Sequence, residues 1–340
     1  MIVYFSTVVR SAPQQSGGEL VKLDWDKRRV LARTPIVPTN PTVPDPNSRG
    51  STRGGRGILV DRNYVYVASY HSILVFDHQL NFVRQVSHPL FVNIHEIAWD
   101  GDAIWVSSTS IDAAIKIDLQ GNMLDSWWPR EDPVTSGQFA LKPLEVDKQA
   151  DNRTKFVGIS NVAPGHVHLN ATCVSKNRPL ILLNRFGSLI RLNPTEIVVN
   201  DPRIRGCHNV AVATDGTILI NDTEGRAVNV YNGNGQCVQR IRLMSYWGVR
   251  LLLFRHMPSV VGCWLAEHGR PTRVFHPLFL GAVIARPVFV RGLCQTTRNT
   301  FLVGISPASI LEIDKETGRL IDMFTYSHDR HVCVHGLAQG

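Results

Sequence analysis

The stretch Arg56-Gly-Ile-Leu59 opens a motif that returns as His95-Glu-Ile-Ala98, His168-Leu-Asn-Ala171, His208-Asn-Val-Ala211, Arg291-Gly-Leu-Cys294 and His335-Gly-Leu-Ala338. Each copy begins with a cation or an imidazole and continues into small or apolar residues. Most copies then run through a turn into a second β-rich stretch. Four histidines and two arginines therefore hold one equivalent position in six repeats. If the repeats close into a ring, that position becomes a circle of six side chains.

A second mark follows each motif: an apolar strand that ends in Asp or Asn and enters a turn. The copies are Ile73-Leu-Val-Phe-Asp77, Ile115-Lys-Ile-Asp118, Leu189-Ile-Arg-Leu-Asn193, Val228-Asn-Val-Tyr-Asn232 and Ile310-Leu-Glu-Ile-Asp314, with Leu20-Val-Lys-Leu-Asp24 near the N-terminus. Motif and mark are 21, 23, 25, 24 and 23 residues apart. A repeat of roughly 40 residues holding four short strands is the pattern of a propeller blade. Alternation agrees, with Tyr64, Tyr66 and Ala68 on one face and Val65, Val67 and Ser69 on the other.

The motif at His335 has no mark after it, and the mark at Leu20 has no motif before it. The two halves complete each other. The chain is therefore expected to be all-β, a six-bladed β-propeller in which residues 331–340 supply the inner strand and residues 1–34 the outer strands of one blade. Such closure removes the free edges that an open ring would expose. The other blades are expected at about 56–88, from before His95 to Trp128, at 166–200, 207–242 and 287–326, as one domain over 1–340.

Three stretches break the repeat. Residues 35–55 are rich in Pro, Asn, Gly and Arg and read as a loop. Residues 129–164 are an insertion of mixed polarity. In 244–286, Leu251, Leu252, Leu253, Phe254 and Met257, then Val260, Val261, Trp264 and Leu265, follow a helical period better than alternation, punctuated by Pro258 and Pro271. Each interruption lies between the last strand of one blade and the inner strand of the next. All three are thus expected over the channel mouth, where the ring residues lie, and long loops beside convergent polar groups commonly build a pocket.

The 340 residues carry a net charge of +8, with an isoelectric point near 9.4. This favours anionic partners, but the basic residues are dispersed and no aromatic-interleaved basic run exists, which argues against nucleic acid. No run of 18 apolar residues exists, so no membrane helix is expected. The stretch Met1–Arg10 reads as a strand and not as a signal peptide. The six cysteines form no CxxC pair and read as mostly free core thiols of a cytoplasmic protein. The Asn-X-Thr matches at Asn152, Asn170 and Asn221 carry no meaning in that compartment.

One inward histidine is more often a bonded core residue than a ligand. Four at one repeat position, with Arg56 and Arg291 beside them, change that balance, because unpaired basic groups in a narrow channel need an anion or a metal. Two chemistries fit. In the first, His95, His168, His208 and His335 hold a divalent metal (zinc, iron or copper), while Arg56 and Arg291 orient a small anionic substrate. In the second there is no metal: the arginines hold a sulfate or phosphate group, and a histidine acts as nucleophile or general acid/base. His166, two residues before His168, is a further catalytic candidate. Glu96 alternates to the opposite face and is left out of the site, His331 is a weaker candidate, and His71, His78 and His88 are expected to be exposed.

The segments Asn93-Ile-His-Glu-Ile-Ala-Trp99 with Ala103-Ile-Trp105, His168-Leu-Asn170, Cys207-His208 before Asp215-Gly216, and Phe289-Val-Arg-Gly-Leu293 before Phe301-Leu-Val-Gly-Ile-Ser306 resemble an uncharacterised bacterial family of six-bladed propellers. The resemblance covers roughly 56–128 and 166–314. It implies the fold and lends no established activity, and the helical stretch at 244–286 departs from it. In plan, the chain is similar to two propeller enzymes. Peptidyl-hydroxyglycine amidating lyase places inner-strand histidines on zinc with Arg in the pocket, and arylsulfate sulfotransferase uses His and Arg without a metal ligand set. Neither likeness transfers a substrate. The sequence thus points to a metal-dependent lyase or oxidoreductase, then to metal-free sulfuryl or phosphoryl transfer. From another class comes an interaction platform with a structural ion and a protein partner at the helical insertion.

Overall fold

Val, Ile, Leu and Tyr crowd the second and third strand of every repeat, and those strands are buried on both faces. The strands Ala103–Ser108 and Thr300–Ile305 have no exposed residue, whereas the outermost strands Phe82–Val86 and Met123–Trp127 begin exposed. A strand buried on both faces needs a neighbour on each side, and blades packed face to face around an axis supply it. The computed structural model describes residues 1–10, 12, 16–37, 54–155, 166–257 and 288–340, and there the strands form six four-stranded antiparallel sheets.

Blade one runs outward from Val332–Gln339 through Ile2–Val9 and Glu19–Asp24 to Arg29–Pro35. The two ends of the chain share this sheet, with Val3 opposite Gln339 and Val9 opposite Val332. The inner strands of blades two to six are Ile58–Val60, Ile94–Asp100, Leu169–Ser175, Val210–Val212 and Arg291–Gln295.

Six apolar layers lie between neighbouring blades and follow the ring all the way round. Val75 shares a layer with Ile94 and Ile115, Trp105 and Ala114 with Ile181, and Leu189 with Ile218. Val228 shares a layer with Phe301, Ile310 with Val21, and Leu20 with Leu74. At ~25 cal/mol per Å² of apolar surface removed from water, this packing is the main favourable term of the fold.

The Asp or Asn marks are explained by the turn that follows the third strand. Asp77 Oδ1 accepts from the backbone N–H of Gln79 and Asn81, and Asp118 Oδ1 from those of Gln120 and Asn122. Asn232 accepts likewise from Asn234 and Gln236. A short side-chain oxygen replaces the ladder acceptor that the turning chain loses.

Of the interruptions, 38–53, 156–164 and 258–286 lie outside the described residues. The helix Pro133–Phe139 is capped by Asp132, which accepts from Val134 and Thr135 N–H. Asn152 N–H donates to Pro89 O and Arg153 to Ser87 Oγ, which ties this insertion to the link preceding His95. The helical reading of 244–286 is met by Trp247–Arg255, whose Val249 and Leu252 are buried between blades five and six. Tyr246 Oη bonds Gly318 O, and Met323 Sδ lies against Gly248, so this helix leans on the outermost strand of blade six.

Blades six and one are also latched by a polar bond. Trp25 Nε1 donates to Glu312 Oε2 at 2.6 Å, and Thr300 Oγ1 donates to the other oxygen at 2.7 Å. Trp25→Phe keeps an aromatic ring and leaves Glu312 Oε2 without its indole donor, while Thr300 still holds Oε1. We expect it to lower unfolding free energy by about 1–3 kcal/mol in urea denaturation, with the strand signal in circular dichroism unchanged.

Candidate functional site

The site is made by a recurrent irregularity at the start of the inner strands. In blade three Ile94 pairs with Ser108 and Ile97 with Val106, so His95 and Glu96 both stand opposite Ser107. Such a bulge abandons strict alternation, and both side chains reach the axis. Its backbone is satisfied from the second strand: Glu96 N–H donates to Ser107 Oγ at 2.9 Å. In blade five Asn221 Oδ1 accepts from the N–H of both His208 and Asn209, at 3.0 Å each, and in blade one Ser6 Oγ accepts from Gly336 N–H at 2.9 Å. Ser6, Ser107 and Asn221 sit near the ends of second strands. Their small polar side chains inside otherwise apolar strands are the signal that sequence reading passed over.

The four histidines come together. The His95 ring centroid lies 5.7 Å from that of His168, 6.3 Å from His208 and 6.1 Å from His335, and His208 lies 6.3 Å from His335. One of them arrives differently from expectation. In blade four Leu169 O takes the Thr109 hydroxyl as Val290 O takes that of Thr223 in blade six, so Asn170 stands where Arg291 does and His168 lies two residues before it. His168 has a left-handed backbone (φ 59°) and still meets His95.

Threonines fix two rings. His95 Nδ1 lies 2.8 Å from Thr109 Oγ1, which donates to Leu169 O, and His208 Nδ1 lies 3.0 Å from Thr223 Oγ1, which donates to Val290 O. Each hydroxyl spends its proton on the next blade's carbonyl, so it accepts from the imidazole. Both rings are then assigned as Nδ1–H tautomers with Nε2 as the basic nitrogen. Asn184 makes a similar link from blade four to Cys207 O.

The arginines differ. Arg56 is fully buried; it donates to Ile94 O and to Asn93 Oδ1, and its guanidinium is 3.2 Å from His95 Nδ1. It therefore braces the His95 bulge, whereas sequence reading had it contact substrate. Arg291 is only partly buried, donates to His208 Nε2 at 3.0 Å, and lies over the Phe289 ring at 4.7 Å. Arg10 lies over the same ring at 5.4 Å. Arg10 and Arg185 both press on ring histidines electrostatically and were missed from the sequence, although each lies just after a second strand.

His166 is placed in the wall of the site by Asp112, a buried carboxylate. Asp112 takes His166 Nδ1 at 3.3 Å, Arg130 at 2.7 Å, and the backbone N–H of Val167 and His168. Burial works to raise the Asp112 pKa; the His166 bond and the Arg130 charge outweigh it and hold the carboxyl below its usual range.

Three of the imidazoles, those of His95, His168 and His208, are held neutral. Burial, then Arg56 and the other three rings, push His95 well below 6.5, and burial, Arg291, His335 and His168 do so for His208. Burial takes His168 down to about 3. As metal ligands the set fits poorly as folded: His208 Nε2 faces a guanidinium, and rings sharing a zinc at ~2.0–2.1 Å would gather more tightly. Among the described residues no group of three or more His, Cys, Asp and Glu is disposed to hold a metal ion.

Two expectations are corrected. Glu96 was assigned to the opposite face; the bulge turns it into the channel, where Oε1 accepts from Asn209 Nδ2 at 2.7 Å. His71, His78 and His88 were expected on the surface, but His71 is buried and the others are half-buried, His78 bonding Tyr4 Oη at 2.8 Å. The free thiols Cys173, Cys207, Cys237, Cys294 and Cys333 agree with expectation, and among the described residues no helix is long and apolar enough to cross a membrane.

No family model and no curated protein matches the sequence. In three dimensions the chain is similar to a protein of unknown function from Bacteroides caccae, at 8% identity over 99% of this chain and 97% of that one, with a TM-score of 0.57. It is also similar to a chain in the crystal structure of a nidogen/laminin complex, at 9% identity over 99% and 97%, with a TM-score of 0.54. A streptogramin B lyase structure aligns at 9% identity over 86% and 72%, with a TM-score of 0.47. At such identities the likeness is one of fold.

Neutral burial of histidine has a pH signature. His71 is 1% exposed, neither ring nitrogen has a hydrogen-bond partner, and burial lowers its pKa from 6.5 to about 4. A depressed folded pKa contributes stability that is present above 6.5 and is lost as pH falls toward 4. By linkage this one residue costs about 3 kcal/mol by pH 4. We expect His71→Phe to flatten the fall of thermal midpoint between pH 6.5 and 4, measured by scanning calorimetry.

Proposed function

We propose that the channel mouth binds a small anionic substrate, with Arg291, Arg10 and Arg185 supplying the positive field and His95 acting as a neutral general base. One observation carries this reading: imidazoles at 5.7–6.3 Å spacing stand beside three partly buried arginines, while the carboxylate in the wall, Asp112, is already committed to Arg130 and His166. Positive charge in a low-dielectric cleft attracts and concentrates anions. A histidine whose Nδ1–H is fixed by a threonine keeps its basic Nε2 aimed, and at neutral pH it is in the proton-accepting form. The reading belongs with metal-free chemistry, because a metal at the four rings requires His208 Nε2 to leave Arg291.

Sulfate titrated calorimetrically into tag-free protein tests it. We expect saturable binding, weakened about tenfold or more by Arg291→Ala, the loss of one charge-assisted contact. Elemental analysis of the same protein is the second arm. Stoichiometric zinc, iron or copper that disappears in His208→Ala would restore the metal-dependent reading in its place.

A further inference from the structure

The layer one residue below the ring is as specific as the ring itself. At that depth the repeats carry Gly57, Gly292 and Gly336 in blades two, six and one, but Glu96 and Asn209 in blades three and five. The glycines are required by close approach. A Cβ on Gly336 would stand 1.9 Å from Arg56 O, and one on Gly57 would stand 2.7 Å from Glu96 Oε2. The carboxyl of Glu96 therefore spans the axis from blade three toward Asn209 of blade five and passes over Gly57.

The Asn209 amide is locked. Its Oδ1 accepts from Gly292 N–H at 2.8 Å and from Asn221 Nδ2 at 2.7 Å, so its Nδ2 is the end that donates to Glu96. Among the described residues, the Glu96 carboxyl receives that one neutral donor. The nearby guanidinium of Arg56 is turned to Asn93 and Ile94 O. Glu96 also keeps accessible surface, while its neighbours His95 and Ile97 are buried. A deep carboxyl without a cation on it is costly to ionise: burial raises its pKa well above 4.5, and the Asn209 bond and the Arg56 charge offset only part of this. Anion-attracting arginines thus surround the mouth, and a cation-seeking acid waits at the floor.

We propose that the substrate is a small zwitterion, an amino carboxylate or its sulfonate or phosphonate counterpart, whose anionic end lies among Arg291, Arg10 and Arg185 and whose ammonium group descends through the ring to Glu96. This rests on the anion reading above. The ammonium supplies the cation that Glu96 lacks. Neutral imidazoles between the two ends add no charge that would repel it.

The test pairs each ω-amino carboxylate, from glycine to 6-aminohexanoate, with its des-amino carboxylate of equal length. Binding is measured by calorimetry at pH 7 to wild type, Glu96→Gln, Glu96→Ala and Arg291→Ala. We expect at least one length at which the amino compound binds wild type about tenfold or more tightly than its partner, as one charge-assisted hydrogen bond allows. That advantage should vanish in both Glu96 variants, while Arg291→Ala weakens both members of the pair. No advantage at any length, or an advantage that survives Glu96→Ala, overturns the proposal. If carboxylates and sulfate bind through Arg291 while the amino group gains nothing, only the zwitterion reading falls. If no anion binds wild type, both readings fall. Folding of the variants is checked by near-UV circular dichroism, and Glu96→Gln is isosteric with the native side chain.

Discussion

Six inner strands must approach one axis closely enough for neighbouring blades to exchange hydrogen bonds, and the rest of the molecule answers to that constraint. It admits only hydrogen where Gly336 meets Arg56 O. It also brings Ser6 Oγ to Arg56 O, Thr109 Oγ1 to Leu169 O and Thr223 Oγ1 to Val290 O. Each of these bonds joins the second strand of one blade, or the turn that follows it, to the start of the next inner strand. The apolar layers supply most of the stabilisation, and these polar bonds set the angular register of the blades.

The same bonds prepare the site. A threonine that donates forward to the next blade has only acceptor capacity left for its own histidine, which fixes the tautomer of His95 and of His208. The functional side chains are thus aimed by the contacts that close the ring. Burial and the nearby arginines then keep the imidazoles uncharged. A cluster of charged imidazolium groups at this spacing would repel strongly in a medium of low dielectric, whereas a neutral cluster can persist beside guanidinium groups and serve as a set of acceptors.

The organisation of the chain was legible because a propeller writes its period into the sequence. The six motifs and the Asp or Asn marks reflect local chemistry, the start of an inner strand and a turn that needs a side-chain acceptor. The half-repeats at Leu20 and His335 disclosed the shared blade. What escaped were features set by partners far away in the chain. Glu96 was assigned by alternation, which holds only while a strand keeps its pairing, and Ser107 admits two residues opposite itself. His168 was assigned by motif spelling, whereas the bond from Thr109 to Leu169 O puts Asn170 at the repeat position. Arg56 and Arg291 look equivalent as letters, yet Asn93 takes one inward and Phe289 keeps the other at the mouth.

By itself, then, the sequence determined the number of blades and the joining of the two ends, because repeat period needs no knowledge of distant neighbours. The tertiary structure alone decided which nitrogen of His95 and of His208 is basic, which arginine faces the channel, and that a carboxyl lies beneath the ring. Those properties depend on hydrogen-bond partners contributed by other blades, on burial, and on a one-residue shift in strand register that no single segment encodes.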